Sequence, residues 1–219
     1  MEIIAHRGAS ADAPENTLAA FRRAIEVGAD AVELDVHLTR DGVLVVHHDP
    51  TLGPGGPPIA EMTIAEVRAA RSGDHAIPTF DEVMALLDGR LRVCCELKGA
   101  GSAAAAVQRL SAASGAHAVH AFDHREVQQA QQLAPQIARG VLEYSRHIDP
   151  TMILASVDAG DLWQRQEFID ATLVAQVHAV GKRVVAWTVN DAERARTLAA
   201  LGVDGLCTDD PRAMRRAVG

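Results

Sequence analysis

Three acidic residues stand inside short apolar runs, and their spacing sets the chemistry available to this chain. In AVELDV (31–36), the alternation of an extended strand puts Val32, Leu34 and Val36 on one face and Glu33 and Asp35 on the other. In RVCCELKG (92–99), Cys94, Glu96 and Lys98 share a face, opposite Val93, Cys95 and Leu97. The apolar faces must pack under other elements, so the carboxylates are turned toward a common interior. A buried carboxylate is costly unless it is paired or bound to a cation. Glu33, Asp35 and Glu96 together offer an all-oxygen site for one hard divalent cation, Mg2+ or Ca2+, completed by water and substrate. The competing account pairs the same acids with Arg7 and Lys98 as structural salt bridges. Convergence of three acids at strand ends favours the cation, because barrel enzymes keep their sites there.

Two histidines belong to the same region. His6 and Arg7 stand where the strand EIIAH stops and a loop begins. In VLVVHHDP (43–50), His48 has the parity of Leu44 and Val46 and is expected to end an inward-facing row. The connection HLTRDG is too short for a helix. Seven extended residues span about 23 Å, enough for a return beside AVELDV. The alternative is a hairpin pairing Leu38 with Val43, which sets Glu33 across from His48. Either route brings His48 to Glu33 and Asp35. His75, His117, His120, His124, His147 and His178 fall in loops, on helices or at strand starts, where solvated rings are expected. His37 and His47 neighbour the site with the wrong parity or position.

These residues need a frame. Strands are expected at 2–6, 31–36, 43–48, 91–98, 117–122, 137–142, 183–189 and 203–208. Ala-rich helical stretches fall at about 16–27, 79–88, 102–114, 124–134, 170–180, 191–201 and 211–217. Asn16 or Thr17 reads as a cap, Gly28, Gly181 and Gly202 as C-terminal stops, and Pro211 as a first helical residue. Strands alternating with helices imply a parallel barrel or a doubly wound sheet. No GxGxxG follows the first strand, which disfavours a dinucleotide fold. Residues 50–76 break the alternation with Gly and Pro and read as an excursion after the third strand, with a short helix near 63–71. Residues 143–162 carry no clear pattern beyond a short strand near 154–158.

The bulk properties narrow the function. The 219 residues, 48% hydrophobic, suffice for one domain spanning 1–219. With 21 basic and 29 acidic residues, a net charge of −8 and no basic run, a nucleic-acid partner is not expected. No apolar run reaches the roughly 18–20 residues of a membrane span. No basic segment precedes an apolar one, so a cytoplasmic location is expected. Cys94, Cys95 and Cys207 lack CxxC spacing and read as reduced, buried thiols. No residue pattern specifies an oligomeric state.

In order along the chain, AHRGAS, APENTLAAF, GADAVELDVHLTRDGVLVVHHDPTL, IPTFDEVMALL, CCELKG, AWTVN and GVDGLCTDDP resemble the motifs of the glycerophosphodiester phosphodiesterase family. The resemblance covers most of the chain. It implies a TIM (β/α)8 barrel and metal-dependent hydrolysis of a small-molecule glycerophosphodiester to an alcohol and glycerol 3-phosphate. It implies His6 and His48 as the acid–base pair and Glu33, Asp35 and Glu96 as ligands of one divalent cation. Arg7 and Lys98 become phosphate contacts, Glu15 a group near the substrate or ordering the loop, and Trp187 an aromatic wall. After HDP the family continues with an Asp-Arg-Thr-Thr-like segment where this chain reads TLGPGGPP, a departure that bears on which alcohol is accepted. Two further readings stay open: a barrel that binds phosphodiesters or lipid head groups without turnover, and action on lysophospholipids. A metal amidohydrolase would show an HxH pair where this chain has AHRG.

Overall fold

The β-branched runs become the strands of a computed structural model that describes residues 1–70 and 75–219. The strands are β1 (Glu2–His6), β2 (Ala31–Leu38), β3 (Leu44–Val46), β4 (Arg92–Leu97), β5 (Ala118–Ala121), β6 (Ala138–Glu143), β7 (Asp161–Arg165), β8 (Arg183–Trp187) and β9 (Gly205–Thr208). The helices are α1 (Leu18–Glu26), α2 (Ile64–Ala70), α3 (Phe80–Leu87), α4 (Ser102–Ala112), α5 (His124–Leu133), α6 (Pro150–Ser156), α7 (Ala171–Ala179), α8 (Ala192–Ala200) and α9 (Pro211–Val218). All strands but β3 pair in parallel in the order β1-β9-β8-β7-β6-β5-β4-β2, and a β1–β2 ladder closes the ring. This is the (β/α)8 barrel of TIM type.

Two expected strands change place. The run 43–48 contributes only β3, which lies antiparallel to β2 with Leu38 opposite Leu44 and Val36 opposite Val46. It is the outer arm of a hairpin, one residue out of register from a Leu38–Val43 pairing, and not a barrel stave. Leu44 and Val46 therefore pack outward with Val36 and Phe80, and His48 does not end an inward row. The eighth stave is β7, which begins at the end of the segment 143–162 that carried no clear pattern and runs past it to Arg165, where no strand was expected. The strand expected near 154–158 is instead the end of α6 and the turn after it, because Asp149 caps the chain and Pro150 opens the helix. Residue 71, the last of the helix expected at 63–71, lies outside the described residues; α2 ends at Ala70.

Strand alternation sorts the core into two shells. Outward residues such as Ile3, Val32, Leu34, Val93 and Cys95 pack with helical Phe21, Phe80 and Leu110 between barrel and helices. Inside the ring, Ile4, Ala31, Cys94, Leu142, Trp163, Val185 and Cys207 form a separate plug. Below it, at the strands' N-terminal ends, Glu2, Arg92, Asp161 and Arg183 close the barrel with ion pairs. The polar site can then lie only above the plug, at the C-terminal mouth.

Caps make that mouth stiff. Helices α5 to α9 each start on an aspartate, Asp123, Asp149, Asp170, Asp191 and Asp210, whose carboxylate accepts a first-turn N–H. Thr17 rather than Asn16 caps α1. The loop after β1 depends on Gly8: its φ is +86°, and a Cβ there would stand 2.7 Å from the Ala20 carbonyl carbon. Gly8→Ala is expected to destabilise the protein by about 2–4 kcal/mol, read as a lower urea midpoint at unchanged m-value.

Candidate active site

Every strand end that meets the mouth contributes to one cavity. Its polar wall includes His6, Arg7, Glu33, His48, Glu96, Lys98 and His120; its apolar wall includes Phe122, Leu142, Trp163 and Trp187. The ladders explain the grouping. His6 pairs with Glu33, Asp35 with Glu96, and Glu96 with His120, so neighbouring staves deliver their inward side chains at adjoining levels.

The acids are deeply held. Glu33, Asp35 and Glu96 are 2%, 0% and 8% exposed; among the described residues, only Arg7 and Lys98 stand close by as permanent cations. Burial, then the charges of Asp35 and Glu96, raises Glu33 well above the ordinary carboxylate range. Burial and the Asp35 charge push Glu96 up to about 7. Burial works on Asp35 too, but Arg7, Lys98 and the Asn16 amide outweigh it and keep its carboxyl low. Asn16 Nδ2 donates to Asp35 Oδ2 at 2.8 Å, while Oδ1 is buried with no hydrogen-bond donor and Lys98 Nζ stands 3.7 Å away. Lys98 Nζ sits 3.0 Å from Glu96 Oε1. Three carboxylates against two fixed cations leave negative charge uncompensated, and an unpaired carboxylate oxygen waits inside. Such a donor set fits a divalent cation.

Arg7 is fixed by backbone as well as by charge. Its φ is +55°, an uncommon conformation for a residue with a Cβ, and Asn16 shares it at +56°. The Arg7 amide donates to Glu33 Oε2 at 3.1 Å, and Nη1 donates to Glu15 Oε1 at 2.9 Å. Glu15 thus steadies Arg7 from a half-exposed position and does not line the main cavity. Trp187 does line it, with Nε1 donating to the Trp163 carbonyl at 3.0 Å and its ring set edge-on to Phe122.

Each of the two histidines is held by a carboxylate at Nδ1. His6 Nδ1 lies 2.7 Å from Asp209 Oδ1, and Asp209 is itself fixed by Asn190 and Ser10. Burial opposes it most, but the His6 contact together with the Asn190 and Ser10 hydrogen bonds outweighs burial and holds the Asp209 carboxyl down at about 2. His48 Nδ1 lies 2.8 Å from Asp49 Oδ1, and the His48 carbonyl is tied to His37 Nε2 at 3.1 Å. With Nδ1–H donated to the carboxylate, each Nε2 is left to exchange a proton.

Three participants carried no assigned role in the sequence reading. Asp209 was legible in principle: in a closed barrel the last strand pairs with the first, and Ala5 opposite Thr208 places the next residues, His6 and Asp209, together. Asn16 looked only like a cap. His120, expected to be solvated, is 1% exposed, and burial lowers its imidazole to about 3.

With this geometry in hand, the profile of the Glycerophosphoryl diester phosphodiesterase family matches residues 6–213. The chain belongs to that family. Among relatives of this glycerophosphodiester phosphodiesterase family is a glycerophosphodiester phosphodiesterase of Caldanaerobacter subterraneus subsp. tengcongensis. It is 32% identical over 97% of this chain and 95% of its own length. The fold is similar to a phosphodiesterase of Oleispira antarctica solved in complex with the product sn-glycerol-3-phosphate. That similarity has a TM-score of 0.91 and 29% identity over 100% of this chain and 96% of that one. A Thermotoga maritima glycerophosphodiester phosphodiesterase superposes with a TM-score of 0.85 and 26% identity, over 98% of this chain and 96% of that one. As a family member the chain is an enzyme, a hydrolase of phosphoric diesters. Among the described residues, no helix is long and apolar enough to cross a membrane.

Proposed function

We propose that the cavity hydrolyses water-soluble glycerophosphodiesters to an alcohol and glycerol 3-phosphate. Glu33, Asp35 and Glu96 hold one divalent cation, for which three carboxylates suit Mg2+ or Ca2+, and His6 and His48 share the acid–base work. The observation that carries this reading is the pair of imidazoles, each anchored through Nδ1, lining one cavity with Glu33, Glu96, Arg7 and Lys98 while Asp35 is buried behind it. The product sn-glycerol-3-phosphate bound to the Oleispira antarctica relative supports the choice of product. Three free, buried cysteines accord with the proposed cytoplasmic location.

The chemistry divides among the side chains. Glu33, Asp35 and Glu96 would hold the cation, which when bound would supply charge neutralisation at the phosphoryl oxygens. Arg7 presents a planar guanidinium that fits a phosphoryl edge, and Lys98 adds a point charge beside it. One imidazole takes the nucleophile's proton through Nε2 as the new P–O bond forms. The other protonates the departing alkoxide as the old P–O bond breaks. The nucleophile is water or the neighbouring glycerol 2-hydroxyl; a quenched reaction that accumulates and then consumes a cyclic phosphate identifies the second.

Hydrolysis of glycerophosphocholine is expected to cease in EDTA and to return when Mg2+ or Ca2+ is restored. Activity untouched by chelation defeats the metal assignment. Asp209→Asn should lower kcat by roughly 10–100-fold, the usual cost of losing a group that orients another. The loss should fall on kcat with KM little changed, and Asp209→Glu should restore part of it, because a carboxylate there still holds His6 Nδ1. A loss that Asp209→Glu does not rescue would assign Asp209 a packing role only.

A further inference from the structure

The geometry points to His120 as a nitrogen ligand of the cation site, making it a mixed oxygen–nitrogen centre that favours Mn2+ over Ca2+. The inference rests on the reading above that Glu33 and Glu96 hold a cation. Among the described residues, one ligand atom from each of Glu33, Glu96 and His120 lies within 4.8 Å of the other two. Donors on opposite sides of an ion at ordinary bond lengths stand about 4.0–4.4 Å apart, so the cluster is already of the right size.

A second, independent observation concerns the imidazole itself. His120 is 1% exposed, its Nδ1 is buried with no hydrogen-bond partner, and Nε2 stops 3.8 Å from Glu33 Oε1. That separation is too long for a hydrogen bond. A buried imidazole nitrogen with no partner is costly, and a ring whose other nitrogen stops short of one carboxylate and beside a second is accounted for by an ion between them. The ring is also held in one plane. It stacks on Trp163 with centroids 4.1 Å apart and planes 10° from parallel. Trp163 can lie there because Gly140, the ladder neighbour of His120, has no Cβ; one would stand 2.7 Å from Trp163 Cδ1. On its other side His120 pairs with Glu96, so the imidazole enters at the level of that carboxylate.

The donor set then selects the ion. Ca2+ takes oxygen ligands, whereas Mn2+ accepts carboxylates together with imidazole. A rival role for His120, donating a hydrogen bond that merely orients Glu33, leaves the nitrogen off the metal. Pulsed EPR on the full chain loaded with Mn2+ separates the two. The expected result is 14N hyperfine coupling in the parent protein, retained in His48→Ala and lost in His120→Gln. Titration calorimetry should show Mn2+ binding weakened about tenfold or more in His120→Gln, with Ca2+ affinity changed much less. Mn2+ that binds without 14N coupling, yet is released by Glu96→Gln, overturns this inference alone. Equal loss of Mn2+ and Ca2+ affinity also overturns it, and absence of any Mn2+ binding overturns it together with the cation reading. If His120→Gln does not fold, the parent spectrum compared between natural-abundance and 15N-histidine protein supplies the same decision.

Discussion

His48→Ala should lower turnover on glycerophosphocholine by roughly 10²–10⁴, the range contributed by a positioned general acid or base, and leave the fold intact. The ring has a side-chain exposure of 35%, and among the described residues it bonds only to Asp49, whose side chain is 67% exposed. Removing it leaves no unpaired buried group. The backbone tie from His37 to the His48 carbonyl is retained. Stability should therefore change by no more than about 0.5 kcal/mol. Steady-state kinetics alongside a thermal melt reads both quantities. Wild-type turnover in a folded variant would remove His48 from the acid–base pair.

Glu96→Gln is expected to raise the half-saturating metal concentration by roughly a hundredfold, equivalent to about 2.7 kcal/mol. Its second effect distinguishes a cation ligand from a structural salt bridge. Burial and the neighbouring Asp35 push the Glu96 carboxyl up to about 7, so the charged form is strained when no cation is bound. A neutral amide relieves that repulsion while keeping a polar atom near Lys98. The chelated variant should melt no lower than the chelated parent, and added metal should raise the melting temperature of the parent far more than that of the variant. A structural bridge to Lys98 gives the reverse: a lower melt in chelator and the same response to metal. That second pattern would refute the ligand assignment.

What could be read from the sequence was the part governed by strand parity. Alternation in AVELDV and CCELK correctly turned Glu33, Asp35 and Glu96 inward, and their outward partners into the layer with Phe21 and Phe80. The barrel followed from strand–helix alternation, although one stave was assigned to the wrong segment. VLVV resembles a buried strand because β3 is buried, yet it is covered by β2 and by the excursion. DLWQR holds the eighth stave with polar residues at Asp161 and Gln164, both buried, so local hydrophobicity gave little signal. Long-range pairing hid the rest. Asp209 reaches His6 across 203 residues only once the ring closes. His120 required knowledge that Gly140 admits the Trp163 ring beneath it. No local pattern encodes either contact.

The hairpin outside the barrel means that the two imidazoles ride on separate pieces. His6 ends β1, which is clamped on both sides by β9 and β2. His48 extends from an appendage cushioned by its own small cluster of Val45, Ile59, Met62, Val67 and Ile77. The gap between them is thus a calliper with one fixed jaw and one adjustable jaw. Trimming or lengthening the chain between Asp49 and Ile77 should therefore change which alcohol is accepted without rebuilding the ring that carries the acids.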